Sequence, residues 1–425
     1  WNLRRLGSAR RKVEVGTVRP SSAVVGDHLG SWWLALRRVA TGRVLAGDDD
    51  RSDGLRHLNS AFGAVFGPGG LAIMIAVAVL GFGSRSLIVD GLSPVGRLQR
   101  LPVESGDLVA AWWAGWRSTG TGTSGSGPDG LGLVGLVAGI WPYSSDSLWT
   151  VLVLGSFAVG AFGIWRLARP VGGGRSRAVA VLVYLAVPIP YEALRTGRLV
   201  PLAAYAVMPW LVRRLAGAQA MAPYGLRGGE PGPGARLRSL WSDVLVTGLA
   251  LVAVVGVDPV LLVPATAVVL GLVVGTTLSG TTNGLLRLSM VVGGGTALAA
   301  VVHLPTVLSV SGSDGRGWVG WLGGSIAGGW GVTDSIGLEG ILSLNAGADG
   351  PSAAMALFVL PVLALVAARG RHLSVVIRAW FVVAAGASLL VMLDREWLGD
   401  SGSALRAADP GVLLVVVAVG LAWAS

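Results

Sequence analysis

The chain has 425 residues, 52% of them hydrophobic and only 13% charged, and its mean hydropathy is +0.67. The charged share is about half that of a soluble globular protein, which excludes a disordered chain and argues against a soluble enzyme built around one core. The net charge of +10 comes from 33 basic residues, with Lys12 the single lysine, and the absence of cysteine excludes disulfides, thiol catalysis and cysteine metal sites.

Long apolar runs recur along the chain. The fold class they predict is all-α: a polytopic transmembrane helical bundle, since a span must satisfy its own backbone hydrogen bonds. Residues 1–65 are polar and basic, from Arg4 and Arg5 to Arg56, interrupted by Asp48-Asp49-Asp50. They read as a cytoplasmic basic juxtamembrane linker, with Trp32-Trp33 and Arg37-Arg38 on a short amphipathic helix at the membrane face. The chain starts at Trp1 and stops directly after an apolar run, so the expectation is a fragment cut at both ends.

Residues 66–425 read as the transmembrane domain. Candidate spans are 66–84, 147–165, 178–192, 199–213, 242–256, 259–278, 286–308, 353–369, 379–393 and 410–424, about ten in all. Segment 129–142 is apolar too, but its length of about 21 Å falls short of a hydrocarbon core near 30 Å. Reading it as a re-entrant or interfacial half-helix places the arginine-rich loops 166–177, 213–241 and 369–378 on the same side as residues 1–65. That satisfies the positive-inside rule, and a full crossing does not.

The outer side then receives loops 85–146 and 309–352, with 193–198 and 394–409. Most carboxylates after position 60 fall there, and only Glu230 and Asp243 fall inside. The rule counts arginine and lysine alone, so this sorting is independent, and it points to polar work on the outer face. Ser118–Gly127 reads as a flexible Gly-rich outer loop or a flap over a substrate. Gly172-Gly173-Gly174 lacks the strand-to-helix context of a nucleotide fingerprint.

The first outer loop carries Asp90, Glu104 and Asp107, followed by Trp112, Trp113 and Trp116 at helical spacing. One reading is an interfacial helix with an aromatic belt, capped by Asp107. The other is a set of catalytic carboxylates above a lipid-linked substrate. Such a group takes the proton from an acceptor hydroxyl, or holds a divalent cation (Mg or Mn) against a leaving phosphate.

Pro188–Arg198 reads as an outer hairpin. Arg195 and Arg198 sit there against the topological bias, and guanidinium forks suit the phosphate of a polyprenyl donor. Glu192 could equally pair with either. His303, near the outer end of its span, is either a functional group or a helix-to-helix hydrogen bond. Arg316 lies in the second outer loop with Trp318, Trp321 and Trp330, which either anchor the interface or stack on sugar rings. Asp258-Pro259 marks a tight turn. The four histidines show no metal-ligand spacing, and no soluble-enzyme motif is present.

The stretch 127–215 contains Gly127-Pro-Asp-Gly-Leu-Gly-Leu-Val-Gly-Leu, Leu148-Trp149, Gly163-Ile-Trp-Arg-Leu-Ala-Arg-Pro-Val-Gly172, Ala178–Pro188 and Tyr205-Ala-Val-Met-Pro-Trp-Leu211. It resembles the membrane region of actinobacterial GT-C-type glycosyltransferases, in particular the arabinofuranosyltransferases of cell-wall arabinan assembly. It is also similar to the membrane segments that follow a family-2 glycosyltransferase domain in long actinobacterial proteins. The resemblance implies a GT-C-like bundle in the plasma membrane, a polyprenyl-phosphate sugar donor, a glycan or lipid acceptor, and acidic residues in the first outer loop. In that family the acidic residues often form an adjacent pair. Asp90 stands alone, and Glu104 and Asp107 are three apart.

Two function classes follow. One is a membrane glycosyltransferase active on the outer face. The other is a non-catalytic anchor, or a lipid-linked-sugar translocating unit, for a soluble transferase domain. A transporter should carry charges at mid-membrane in broken helices, and the apolar runs here are nearly charge-free in their middles.

Overall fold

Long apolar runs set the helices. The computed structural model describes residues 145–219, 233–278, 282–303, 338–344, 352–369, 371–394 and 410–425, together with Tyr224 and scattered positions between 74 and 143. All belong to one unit, Ala64–Ser425. The basic linker 1–65 and most of the span 66–84 lie outside the described residues.

Helix α1 (Ser145–Ala168) is followed by α2 (Gly174–Leu185), the short α3 (Ile189–Arg195) and α4 (Leu199–Ala218). Next come α5 (Pro233–Val257), a 3-10 turn (Pro259–Leu261), α6 (Leu262–Leu278) and α7 (Thr282–Val302). Then follow α8 (Leu338–Ser343), a 3-10 segment (Ser352–Phe358), α9 (Val359–Ala367), α10 (Arg371–Asp394) and α11 (Gly411–Ala424).

Seven helical segments among the described residues are long and apolar enough to cross a membrane: 147–168, 174–195, 199–218, 239–257, 259–278, 284–302 and 372–392. The chain is thus a helical membrane protein. Each of the seven overlaps a span expected from the sequence. The expected span 353–369 is instead a 3-10 segment leading into the nine-residue α9.

Several boundaries differ from the sequence reading. Residues 371–378, expected in a loop, are the first two turns of α10. Hydropathy breaks off at Arg378, but the helix does not, because that side chain is enclosed by neighbours. Residues 178–192, expected as one span, break at Ala186–Pro188. Proline lacks the N–H needed to continue α2 and then suits the first turn of α3. In the loop expected on the outer side, Trp116–Arg117 pairs antiparallel with Thr123–Ser124. Trp116 is therefore in a strand rather than on the expected helix, and part of the Gly-rich stretch is paired rather than an open loop.

Helix α11 is the axis of the bundle. All 14 of its residues are buried, as expected of a helix apolar on every side. Helices α2, α4, α6 and α10 pack around it, with α1, α3 and α9 completing the enclosure. Its 14 residues reach about 21 Å, less than a hydrocarbon core. Helices α5 and α7 form a hairpin mainly packed on each other. Arg287 of α7 donates to Asp243 of α5 at 2.7 Å and to Ser239 at 3.1 Å. That pairing accounts for one of the two carboxylates expected on the inner side.

Candidate functional site

The expected hairpin is a short helix with a defined stop. At the end of α3, Arg198 N–H donates to the Ala193 carbonyl at 2.7 Å and Gly197 N–H to the Leu194 carbonyl at 3.3 Å. These two bonds form a Schellman turn. Gly197 takes φ 70° there, a conformation that a side chain disfavours. The turn reverses the chain into α4 within three residues and fixes where Arg195 and Arg198 emerge.

Both arginines converge on Glu192, one turn back. Arg195 donates Nε and Nη2 to the two carboxylate oxygens at 2.9 Å each. Arg198 Nη2 lies 3.8 Å from Oε1, and its Nε donates to Thr196 Oγ1 at 2.8 Å. Arg195 is 76% exposed, whereas Arg198 and Glu192 are 13% and 18% exposed. The cluster carries a net charge of +1. A guanidinium has five N–H donors, and Arg195 gives two of them to Glu192.

A shallow cleft beside it is lined by Ile189, Glu192, Ala193, Arg198, Pro201 and Gly411. Its enclosed volume is about 10 Å³, enough for one water. An anion here would sit on the surface over Arg195 rather than inside the bundle. Glu192 has both oxygens engaged by arginine, so it does not fit a divalent cation. Among the described residues no three His, Asp or Glu side chains gather as a metal site.

The other expected residues separate into two groups. Asp90, Glu104, Asp107 and Arg316 lie outside the described residues. His303 follows the end of α7, and its Nε2 lies 3.2 Å from the Val252 carbonyl of α5. A carbonyl only accepts, so Nε2 carries the proton. Asp258 is buried, and its carboxylate accepts from Val260 N–H at 3.0 Å, capping the 3-10 turn into α6. The Asp258-Pro259 turn is therefore as the sequence predicts.

The opposite end of the bundle holds a cluster that sequence reasoning passed over. Tyr224 donates to the Leu167 carbonyl at 2.8 Å and accepts from Trp423 Nε1 at 2.7 Å. Burial raises the Tyr224 phenol above its ordinary pKa, against the opposing effects of the Trp423 hydrogen bond and of Arg213 and Arg378. It stays neutral and keeps its donor on Leu167. Arg378 is 4% exposed, and its side chain lies over Gly275. No local signal links Tyr224 to Trp423, 199 residues away.

No family model matches this chain, and no match was found among curated proteins or solved structures.

Proposed function

We propose that the chain is an integral-membrane glycosyltransferase. It moves a sugar from a polyprenyl-phosphate donor to a cell-envelope glycan or lipid acceptor on the outer face of the plasma membrane, with residues 1–65 cytoplasmic. The observation that carries the reading is the Arg195–Glu192–Arg198 cluster at one end of a membrane-length helical bundle. Guanidinium donors at that depth suit a lipid-linked phosphate.

In the reaction, the acceptor hydroxyl oxygen attacks the anomeric carbon as the bond from that carbon to the phosphate oxygen breaks. The hydroxyl proton passes to a first-loop carboxylate, Asp90 or the Glu104/Asp107 pair. Arg195 and Arg198 hold the departing polyprenyl phosphate. A divalent cation (Mg or Mn), if used, would be held by the same loop carboxylates and would neutralise the phosphate.

A second reading is favoured by the engagement of both Glu192 oxygens by Arg195, with Arg198 at 3.8 Å, which is also what a purely structural turn requires. In it the chain is a non-catalytic anchor or lipid-linked-sugar translocating unit for a soluble family-2 transferase domain.

The test is sugar transfer by the full-length protein in membranes, supplied with a panel of labelled polyprenyl-phosphate pentoses and hexoses. Asp90→Asn and Glu104→Gln/Asp107→Asn are compared with the parent. Loss of transfer at preserved expression in either variant supports the enzyme. Normal transfer by both assigns the chemistry to another domain and leaves the anchor reading.

A further inference from the structure

The carboxylate of Glu192 occupies the place where two guanidinium groups converge. Its Oε1 accepts from Arg195 Nη2 at 2.9 Å and lies 3.8 Å from Arg198 Nη2, and its Oε2 accepts from Arg195 Nε at 2.9 Å. To the Nε–Nη2 edge of an arginine, a carboxylate and a phosphate present the same pair of oxygens. The two anions are therefore alternatives at that edge. The cleft beside it, lined by Glu192 and Arg198, takes no more than one water. A phosphate cannot join both arginines from there while Glu192 keeps its place.

The surroundings suit an exchange. Arg195 is exposed, and an exposed ion pair contributes little to stability. The carboxylate can leave without unseating the turn, because the bonds around Gly197 are made by backbone alone. Arg198 is held independently of that carboxylate. Its Nε donates to Thr196 Oγ1 at 2.8 Å, and the Thr196 hydroxyl donates to the Glu192 backbone carbonyl at 2.7 Å. Arg198 therefore stays beside the spot that the carboxylate vacates.

We propose that Glu192 is a resident competitor for this arginine pair. A phosphate that bridges Arg195 and Arg198 displaces the carboxylate, and the returning carboxylate weakens the grip and lets the phosphate leave. The inference rests on the reading of this cluster as a donor-phosphate site, and it gives that site a selectivity. With Glu192 in place the cluster carries a net charge of +1. The donor is a phosphodiester with a single negative charge, whereas the departing polyprenyl phosphate is a monoester with about 1.5 to 2 at neutral pH. Loss of the Glu192 charge therefore favours the product over the donor.

The full chain in phosphatidylcholine nanodiscs is titrated with a radiolabelled short-chain polyprenyl phosphate, and separately with its methyl ester as the diester probe. In the parent both bind saturably, and binding is lost in Arg195→Gln. In Glu192→Gln the monoester binds about tenfold or more tighter, since a competing charge-assisted acceptor is gone, and the diester gains less. Glu192→Ala does the same, and melting midpoints near that of the parent show that both variants are folded. The inference is overturned if the monoester gains nothing in the two Glu192 variants, or gains no more than the diester. Glu192 then orients the arginines instead of competing with their ligand. With binding still lost in Arg195→Gln, that result leaves the donor-phosphate reading standing. If neither probe binds the parent or the Glu192 variants, or if binding is indifferent to Arg195→Gln, the donor-phosphate reading falls and the inference falls with it.

Discussion

The rings of Tyr184 and Tyr205 are stacked, with centroids 4.2 Å apart and planes 10° apart, and each phenol donates to the other residue's backbone carbonyl. The distances are 2.7 Å from Tyr184 and 3.1 Å from Tyr205. Both carbonyls have a proline four residues ahead, Pro188 and Pro209, where a helix would supply an N–H. Two prolines thus remove two helical donors inside the bundle, and two tyrosine hydroxyls take their place reciprocally, the Tyr184 carbonyl also accepting from Val187 N–H at 3.4 Å. The pair locks α2 to α4 at the level where α2 gives way to α3.

Tyr184→Phe removes the hydroxyl that replaces the helical donor of the Tyr205 carbonyl, and Tyr205→Phe leaves the Tyr184 carbonyl with the longer Val187 N–H bond only. Each should cost about 1 kcal/mol of stability, at the upper side of hydrogen bonds measured within membranes. The cause is tested in a Pro209→Ala background, where the introduced alanine can supply the missing N–H. There Tyr184→Phe should cost measurably less. Equal cost in both backgrounds, read by thermal unfolding in detergent, would refute the missing-donor account.

Helices α6 and α10 touch backbone to backbone at Gly271. A methyl group there would meet Val382 Cα at 2.6 Å and the Phe381 carbonyl oxygen at 2.8 Å, neither of which can rotate away. Gly271→Ala should destabilise by about 1–3 kcal/mol. Gly293→Ala, where nothing lies within 4 Å, should be neutral or stabilise by up to about 1 kcal/mol through helix propensity. Similar melting midpoints for the two variants would contradict the packing described.

The carboxylate of Asp258 serves as a cap. Asp258→Ala should cost about 0.5–2 kcal/mol, and Asp258→Asn should recover most of it, because the amide oxygen can still accept from Val260 N–H. If Asn and Ala are equally damaging, charge rather than capping is the requirement at this turn.

At the Glu192 cluster, stability and donor binding should separate. Arg195 is exposed, so Arg195→Gln leaves the melting midpoint unchanged. If it grips the donor phosphate, KM for the polyprenyl-phosphate sugar rises by about tenfold or more. A KM equal to that of the parent would make Arg195 a partner of Glu192 alone. The measurement is initial-rate transfer across donor concentration in reconstituted vesicles.

What the sequence disclosed was decided by hydropathy and charge. Spans such as 199–213 and 259–278 were legible because an apolar run has one low-energy form in a membrane. The turn between α3 and α4 was legible because Pro188, Gly197 and the two arginines are local signals. Helix ends were less legible. Arg378 looks like a loop residue until Gly275 is seen across from it, and that opening belongs to another helix. Tyr224 gave no signal either, being an isolated aromatic in a stretch rich in glycine, proline and arginine. Its role comes from Trp423 and Leu167, which only the closed bundle brings to it.

The enclosure of α11 also sets an order of assembly. Its walls, α1 to α4, α6, α9 and α10, precede it in the chain, so for most of synthesis they face an unfilled slot. The stretch from Ala168 to Gly411 takes on the order of ten to fifty seconds to make. During that interval Tyr184, Tyr205 and the Gly271 contact can pair α2 with α4 and α6 with α10. The surfaces that will later grip residues 411–424 have only lipid or one another to cover them. The bundle is therefore a vessel that α11 closes, and the quality-control machinery of the membrane meets it open before it meets it closed.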